Sequence, residues 1–285
     1  MQHGVGSGGV PEESVLEALV IARPAAIIGD ISRARSRATL RFRIIFVLTW
    51  IVLVGGLIYA LASSGKTDAA FIADWGPFIL GGVPMTIFVS IVSILAAILF
   101  AVFGALGRLS TIAPIYAIAT LYVSLVRGTP LIVQIIFVYL ALPEFGIVLD
   151  PLAGGILALS FNYGAYLTEI FRAGIEAIPR GQREAAAALG MTGAHTMRRI
   201  ILPQAVRIVI PAIGNDFISM IKDSALVSFV TIDELFSRAE QVGTRNFRMF
   251  ESLLIAATVY WFMTIIFSFF QERLEKRMAE SDLRL

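Results

Sequence analysis

The sequence predicts an all-α polytopic membrane protein with about six transmembrane helices. Three observations support this prediction. The 285-residue chain is 57% hydrophobic and only 15% charged, with a mean hydropathy of +0.81, which excludes an ordinary water-soluble domain. Several uncharged runs are long enough to cross about 30 Å of hydrocarbon as helices. The Lys and Arg residues cluster beside these runs, mostly on one predicted side of the membrane.

The first span is predicted at residues 44–61, after a cytoplasmic arm at residues 1–43. The arm ends in a group of arginines that favours the cytoplasmic side: Arg33, Arg35, Arg37, Arg41 and Arg43. Residues 12–22 have the apolar spacing of a short amphipathic helix that could lie on the membrane surface. A cytoplasmic tail with no specific function is an equal alternative. The outward loop continues to residue 72. Its Gly65-Lys66-Thr67 resembles the end of a phosphate-binding loop, but Ala60 replaces the required glycine, so no nucleotide site is predicted.

The second span is predicted at residues 78–106, where Pro84 is able to kink it, and it ends at Arg108. Residues 112–143 are apolar but interrupted at residues 127–130 (Arg-Gly-Thr-Pro). We count them as one interrupted crossing, with two half-crossings as the alternative. The later spans are predicted at residues 152–172, 205–227 and 252–270. We expect Pro211 and Gly214 to disrupt the fifth span and free its backbone groups.

The distribution of positive charge tests this topology. Of the 23 Lys and Arg residues, 17 fall in segments predicted to be cytoplasmic and four in predicted outward loops. This bias has the sign expected when the cytoplasmic loops carry the basic residues. Both termini, the loop at residues 180–203 and the tail at residues 278–285 are therefore predicted to lie in the cytoplasm.

Residues 180–203 interrupt the lipid-like sequence with a short water-soluble helix. Glu184 to Leu189 are mostly strong helix formers, and Gly190 is suited to end the helix in a left-handed conformation. A helix over residues 182–189 would be about 12 Å long, too short to cross the membrane. The alanines on one side of this helix suit close docking into a groove of a partner. The charged residues that flank the alanines would face the polar rim of that groove: Arg183, Glu184, Arg198 and Arg199.

The pattern Glu184-Ala185-Ala186, then Gly190, then Ile201-Leu202-Pro203 resembles the signature loop of the membrane subunits of ABC importers. Flanking motifs are similar to the polar-amino-acid branch, the histidine/glutamine/arginine-type permeases. These motifs are Arg127-Gly128-Thr129-Pro130-Leu131 with Gln134, Ala165-Tyr166-Leu167-Thr168-Glu169 with Arg172-Ala173-Gly174-Ile175, and Leu202-Pro203-Gln204-Ala205 with Arg207. The resemblance covers roughly residues 81–277, in family order throughout.

The resemblance implies a permease subunit that moves polar amino acids across the cytoplasmic (inner) membrane. It implies a five-helix importer core, at residues 73–277, to which this chain adds an N-terminal span. The implied partners are a second permease subunit, the same or paralogous, a dimer of cytoplasmic ABC ATPases, an extracytoplasmic binding protein and membrane lipid. ATP would bind the ATPases, and this chain would bind no cofactor. The residues implied to couple to the ATPase are Gln182, Arg183, Glu184, Ala185, Ala186 and Gly190.

Polar side chains inside the apolar spans are candidates for the substrate cavity, because burying them is costly unless a partner compensates. Asn162, Tyr166 and Glu169 share one helix face. The candidates are Glu169, Asn162, Tyr166, Asn215, Asp216 and Gln134. Two alternatives are that Glu169 pairs with a residue on another helix and that Lys222 pairs with Asp223. Two carboxylates in one cavity would favour a cationic amino acid.

Two other functions deserve comparison. A secondary transporter lacks support because the two halves show no internal repeat. An intramembrane enzyme lacks support because the sequence contains no Cys, no HExxH pair and no Gly-x-Ser-x-Gly elbow. The basic residues form no single nucleic-acid-binding stripe, and the two histidines do not form a metal-binding cluster.

Overall fold

The computed structural model describes residues 39–65 and 67–282, and it divides the chain into two compact units, Met1–Thr67 and Asp68–Leu285. The described part of the first unit contains α1 (Thr39–Ser63), which includes the predicted first span. Phe42, Phe46 and Trp50 lie one turn apart on α1, with ring centroids 6.3 and 6.2 Å apart. The predicted helix at residues 12–22 and the arginines at 33, 35 and 37 lie outside the described residues.

The second unit is a helical bundle. Its helices are α2 (Ala69–Leu80), α3 (Val83–Arg108), α4 (Ala113–Arg127), α5 (Leu131–Leu140), α6 (Pro151–Glu176), α7 (Arg180–Ala188), α8 (Gly193–Thr196), α9 (Leu202–Asp223), α10 (Leu235–Asn246) and α11 (Met249–Asp282). Two 3₁₀ segments, Leu142–Phe145 and Ser224–Val230, and one π-helical turn, Met197–Ile201, complete the described elements of this unit.

Helix α6 lies at the centre of the bundle and contacts α3, α4, α5 and α9. Small residues allow its close approach to α3. A Cβ atom on Gly104 would collide with the Thr168 side chain, and one on Gly164 would lie 2.6 Å from the Cβ of Phe100. Leu167 is fully buried at this contact. The central position means that polar residues on α6, such as Asn162 and Thr168, are buried against other helices.

Length and composition qualify four described helical segments as membrane spans, or five if the bent pair α4–α5 counts as one. Helix α6 is not among them, although its 26 residues would extend about 39 Å. It carries polar residues such as Asn162, Glu169 and Arg172, which lower its hydropathy. The all-α membrane fold is therefore confirmed, whereas the predicted count of six spans is not.

The predicted start of the second span, at residue 78, differs from the observed start of α3. Helix α2 ends at Leu80, and α3 begins at Val83 after a pair of glycines. Pro84 lies in the first turn of α3, where a missing backbone N–H costs little. Gly82 is required at the junction, since a Cβ there would lie 2.6 Å from the Leu235 backbone.

The two predicted interruptions have different outcomes. The break at residues 127–130 is confirmed, because α4 and α5 meet at an angle of 104°, which fits both a broken span and a re-entrant loop. The predicted disruption at Pro211 and Gly214 is wrong, because α9 continues through both residues. The Gln271 amide on α11 donates to the Pro211 carbonyl at 2.9 Å. Gly214 has no side chain, which leaves room for the Gln271 side chain; a Cβ at position 214 would lie 2.6 Å from Gln271 Oε1.

Helix α10, within a predicted loop, begins at a buried carboxylate that was not predicted from the sequence. Glu234 is fully buried and accepts hydrogen bonds from the Tyr260 hydroxyl at 2.7 Å, the Thr86 hydroxyl at 3.2 Å and the Ser237 amide at 2.8 Å. Burial raises the pKa of Glu234, and these hydrogen bonds oppose that shift. Glu234 thereby links α3, α10 and α11. An acidic residue directly before an amphipathic run was the available sequence signal.

Candidate functional site

The predicted short helix in the loop at residues 180–203 is confirmed as α7, Arg180–Ala188. Gly190 follows it with φ +73°, the left-handed conformation that the sequence predicts. The Gly190 amide donates to the Ala187 carbonyl at 2.9 Å and the Met191 amide to the Ala186 carbonyl at 3.0 Å. This pair of bonds is a Schellman motif, so the end of α7 is fixed by its own backbone.

Most of α7 is exposed. Ala186 is the one buried residue of the helix, and Leu189 just beyond it is 81% exposed. The Arg183 guanidinium donates to the Ile175 carbonyl at 3.1 Å, which ties α7 to the last turn of α6. The remaining coupling candidates, Gln182, Glu184 and Ala185, are exposed. Helix α7 therefore has a fixed base and a surface open to a partner.

Glu169 already has two cationic partners. Its carboxylate is 3.0 Å from Arg108 Nε on α3 and 2.9 Å from Arg172 Nη2 on its own helix. Arg108 also donates to the Thr120 hydroxyl on α4 at 2.6 Å and lies over the Tyr116 ring. The structure therefore shows the alternative in which Glu169 pairs across helices. Arg108 was not predicted as a partner of Glu169, although a basic residue at the end of an adjacent apolar run was the available signal.

Three of the other candidates lie near the bend between α4 and α5. The Asn162 amide donates to Gln134 Oε1 at 3.1 Å. The Gln134 amide donates in turn to the Val126 carbonyl at 2.7 Å and the Thr129 hydroxyl at 2.8 Å. These bonds satisfy backbone and side-chain groups next to the break. Tyr166 is exposed, and its ring lies 5.1 Å from the Arg127 guanidinium carbon.

The last two candidates lie in the middle of α9. Asp216 Oδ2 is buried and has no hydrogen-bond partner within residues 39–65 and 67–282, whereas the adjacent Asn215 is exposed. About two helical turns further along α9, Asp223 accepts a hydrogen bond at 2.7 Å from the hydroxyl of Tyr163 on α6. Tyr163 was not predicted from the sequence. Lys222 is exposed, and the described hydrogen-bond partner of Asp223 is Tyr163.

The comparison with known proteins identifies the family. The family described as the binding-protein-dependent transport system inner membrane component matches residues 97–280. The chain belongs to this family. The family assignment predicted from the sequence motifs is thus confirmed, and the chain is a membrane permease subunit, a transport component.

Members of this permease family are similar to the chain over most of its length. The L-cystine transport system permease protein TcyB of Bacillus subtilis (strain 168) is 40% identical, over 71% of this chain and 87% of TcyB. The arginine transport system permease protein ArtQ of the same organism is 37% identical, over 72% of this chain and 94% of ArtQ. The glutamine transport system permease protein GlnP of Escherichia coli (strain K12) is 32% identical, over 72% of this chain and 97% of GlnP.

Two solved structures match the chain. A chain from a crystal structure of an amino acid ABC transporter with histidines matches with a TM-score of 0.70 and 38% identity, covering 74% of this chain and 99% of that one. A chain of the inward-facing MetNI methionine ABC transporter matches with a TM-score of 0.55 at 17% identity, and it shows the shared fold alone.

Proposed function

We propose that this permease imports a polar amino acid across the cytoplasmic membrane, driven by ATP hydrolysis on a separate cytoplasmic ATPase dimer. A second permease subunit, the same or paralogous, completes the membrane part, and an extracytoplasmic binding protein delivers the substrate. One observation carries the proposal. A capped and almost wholly exposed helix, α7, follows α6 in a chain whose relatives are named as amino-acid permeases.

Helix α7 is the proposed contact with the ATPase, through Gln182, Arg183, Glu184, Ala185, Ala186 and Gly190. Ala186 packs against this chain and Gly190 fixes the end of the helix, whereas the exposed members of the set face the partner. Arg183 joins α7 to the Ile175 carbonyl of α6. Movement of α7 on ATP binding would therefore be passed to the central helix of the bundle.

The substrate's ammonium group is proposed to bind near Asp216. Burial of an ionised carboxylate without a partner is costly, and a bound cation would remove that cost. Asn215 is next to it on α9, and Tyr163 and Asp223 form the adjacent hydrogen-bonded pair. Gln134, Asn162 and Tyr166 are proposed as lining nearer the bend of α4–α5.

Glu169 has a different proposed role, because Arg108 and Arg172 already neutralise it. We assign it to holding α3 and α6 together. A cationic amino acid was favoured only if the cavity held the carboxylates of both Glu169 and Asp216. With Glu169 paired, that argument no longer applies, and the proposed substrate class is a polar amino acid.

Reconstitution tests the proposed function. The permease, its candidate ATPase and the binding protein are placed in proteoliposomes, and uptake and ATP hydrolysis are measured for a panel of amino acids. We expect amino-acid uptake to require ATP, and we expect the rate of ATP hydrolysis to rise when the transported amino acid is added. Uptake by the permease alone, driven by an ion gradient, would instead support a secondary transporter.

The proposed orientation places both termini in the cytoplasm. The chain has no cysteine, so single cysteines can be labelled without background. An impermeant thiol reagent applied to intact cells should label Ser64→Cys, after α1, and leave Ser7→Cys unlabelled; Ser7 lies outside the described residues. The opposite pattern would place the N-terminus outside.

A further inference from the structure

An apolar pocket lies in the bend between α4 and α5, and we call it the bend pocket. Its volume is about 610 Å³, and its walls come from α3, α4, α5, α6 and the first 3₁₀ segment. Large apolar side chains in the walls include Phe100, Leu125, Phe137, Leu157 and Phe161. Among the described residues that line the pocket, none is charged. The bend pocket is therefore suited to an apolar ligand.

The polar side chains in the described wall, Thr129 and Gln134, already have partners. Gln134 Nε2 donates to the Val126 carbonyl at 2.7 Å and to the Thr129 hydroxyl at 2.8 Å. Gln134 Oε1 accepts a hydrogen bond from the Asn162 amide at 3.1 Å. The Thr129 hydroxyl donates to the Leu125 carbonyl at 3.0 Å. Because these hydrogen bonds are already made, the wall offers little to a polar ligand.

The bend pocket lies at the depth of the hydrocarbon layer. Leu157 and Phe161 are about 9 and 15 Å along α6 from its first residue, in a helix that extends about 39 Å. Helix α6 packs along the candidate membrane span that contains α3. Phe161 is also about 140° around α6 from Tyr166, a proposed cavity residue. The pocket therefore opens within the hydrocarbon, on a different side of α6 from Tyr166.

The side chains at this surface favour a lipid chain over a second protein helix as the occupant. Helices that associate within a membrane usually do so through Gly, Ala, Ser or Thr, which allow close approach of their backbones. Here the most exposed lining residues are bulky: Leu125 is 60%, Val133 52% and Phe137 57% exposed. Such side chains hold a helix backbone away from the pocket. A thin and flexible hydrocarbon chain can enter between them.

We propose that the bend pocket binds an acyl chain of a membrane lipid. Packing of the chain against Phe100, Phe137 and Phe161 supplies dispersion contacts, which replace the hydrophobic effect as the source of affinity inside a bilayer. Gln134 holds the bend through hydrogen bonds, and the chain adds apolar contacts to α4, α5 and α6 at the same place. The bound lipid thereby supports the 104° angle between α4 and α5. The inference does not rest on the proposed function.

Photolabelling is the first test. The full-length permease, purified with the subunits that remain bound to it, is placed in phosphatidylcholine nanodiscs that contain a trace of the same lipid with a diazirine on its acyl chain. Mass spectrometry then locates the label. We expect at least about threefold more label on Leu125 and Phe137 than on Ile118 and Leu121, which are exposed on α4 outside the pocket. Equal labelling of the two pairs would mean bulk lipid only and would overturn the inference.

A variant that fills the pocket sharpens this test. Val133→Trp places an indole where the acyl chain is proposed to lie, so the label on Leu125 should fall at least about threefold while that on Ile118 stays the same. Leu121→Trp is the matched control, because it adds the same side chain at an exposed position of α4 outside the pocket. It should leave the labelling unchanged. Undiminished label on Leu125 in a folded Val133→Trp protein would contradict the inference.

Native mass spectrometry gives a second measurement that needs no variant to succeed. Stepwise collisional activation should remove loosely held lipid first and leave a strongly retained phosphatidylcholine on the wild type. Val133→Trp should lose this lipid, and Leu121→Trp should keep it. Removal of all lipid from the wild type at the lowest activation would overturn the inference, because a packed acyl chain leaves later than bulk lipid.

Coverage of the pocket by a second copy of the chain is a separate outcome. The wild-type pocket would then take up less label than Ile118 and Leu121. Phe137→Cys, in a chain that has no other cysteine, would then form a disulfide-linked dimer on oxidation. Those results would overturn the lipid site in favour of a subunit interface. None of these measurements requires ATP-driven transport, so failure of the proposed function and failure of this inference are distinguishable.

Discussion

The C-terminal part of α6 and the middle of α9 each carry a carboxylate, and their surroundings are opposite. At the end of α6, Glu169 is bound by Arg108 and Arg172, and Arg183 holds α7 to the same region. In the middle of α9, Asp216 Oδ2 is buried and has no partner among the described residues. A paired charge holds helices together, whereas an unpaired buried charge costs free energy that a ligand could recover. The difference separates a structural site from a candidate substrate site.

The largest expected effect comes from breaking the paired site. Arg108→Ala removes a partner of Glu169, the hydrogen bond to Thr120 and the contact with Tyr116. We expect a loss of about 2 kcal/mol in stability, because Glu169 keeps only Arg172. Thermal unfolding in detergent should show a melting temperature several degrees lower. Arg277→Ala on the α11 surface is the control, and equal melting temperatures for the two variants would contradict the structural role.

The unpaired site should respond in the opposite way. Asp216→Asn keeps the shape and removes the charge that lacks a partner, so the melting temperature should stay the same or rise. Substrate-stimulated ATP hydrolysis should need at least about tenfold more substrate, a loss of about 1.4 kcal/mol in binding. A lower melting temperature with unchanged substrate dependence would make Asp216 a structural residue.

A smaller effect is expected at the end of α7. Gly190→Ala has space for the new methyl group, but its φ of +73° is unfavourable for alanine by about 1 kcal/mol. The capped end should therefore loosen, and uptake per ATP hydrolysed should fall while membrane insertion is retained. Gly181→Ala is the matched control, since it also has open space and lacks a positive φ. Equal coupling ratios in the two variants would remove Gly190 from the coupling mechanism.

The sequence predicted features that depend on neighbouring residues. Helix α7 and its left-handed glycine follow from local helix propensity, and the break at residues 127–130 follows from adjacent glycine and proline. Contacts between residues that are far apart in the sequence could not be predicted from local propensity. The Pro211 carbonyl on α9 accepts a hydrogen bond from Gln271, 60 residues beyond it, and Glu169 pairs across helices with Arg108, 61 residues before it. Helices α2 and α10 were missed because neither forms a long uncharged run.

A direct measurement of substrate binding is the sharpest test of the contrast between the carboxylates of Asp216 and Glu169. Substrate affinity is measured by calorimetry for the reconstituted permease and ATPase, in the wild type, Asp216→Asn and Glu169→Gln, with each variant's assembly verified first. The account predicts that Asp216→Asn raises Kd at least about tenfold, whereas Glu169→Gln changes it less than about twofold. The reverse pattern, with affinity lost in Glu169→Gln and retained in Asp216→Asn, would contradict it.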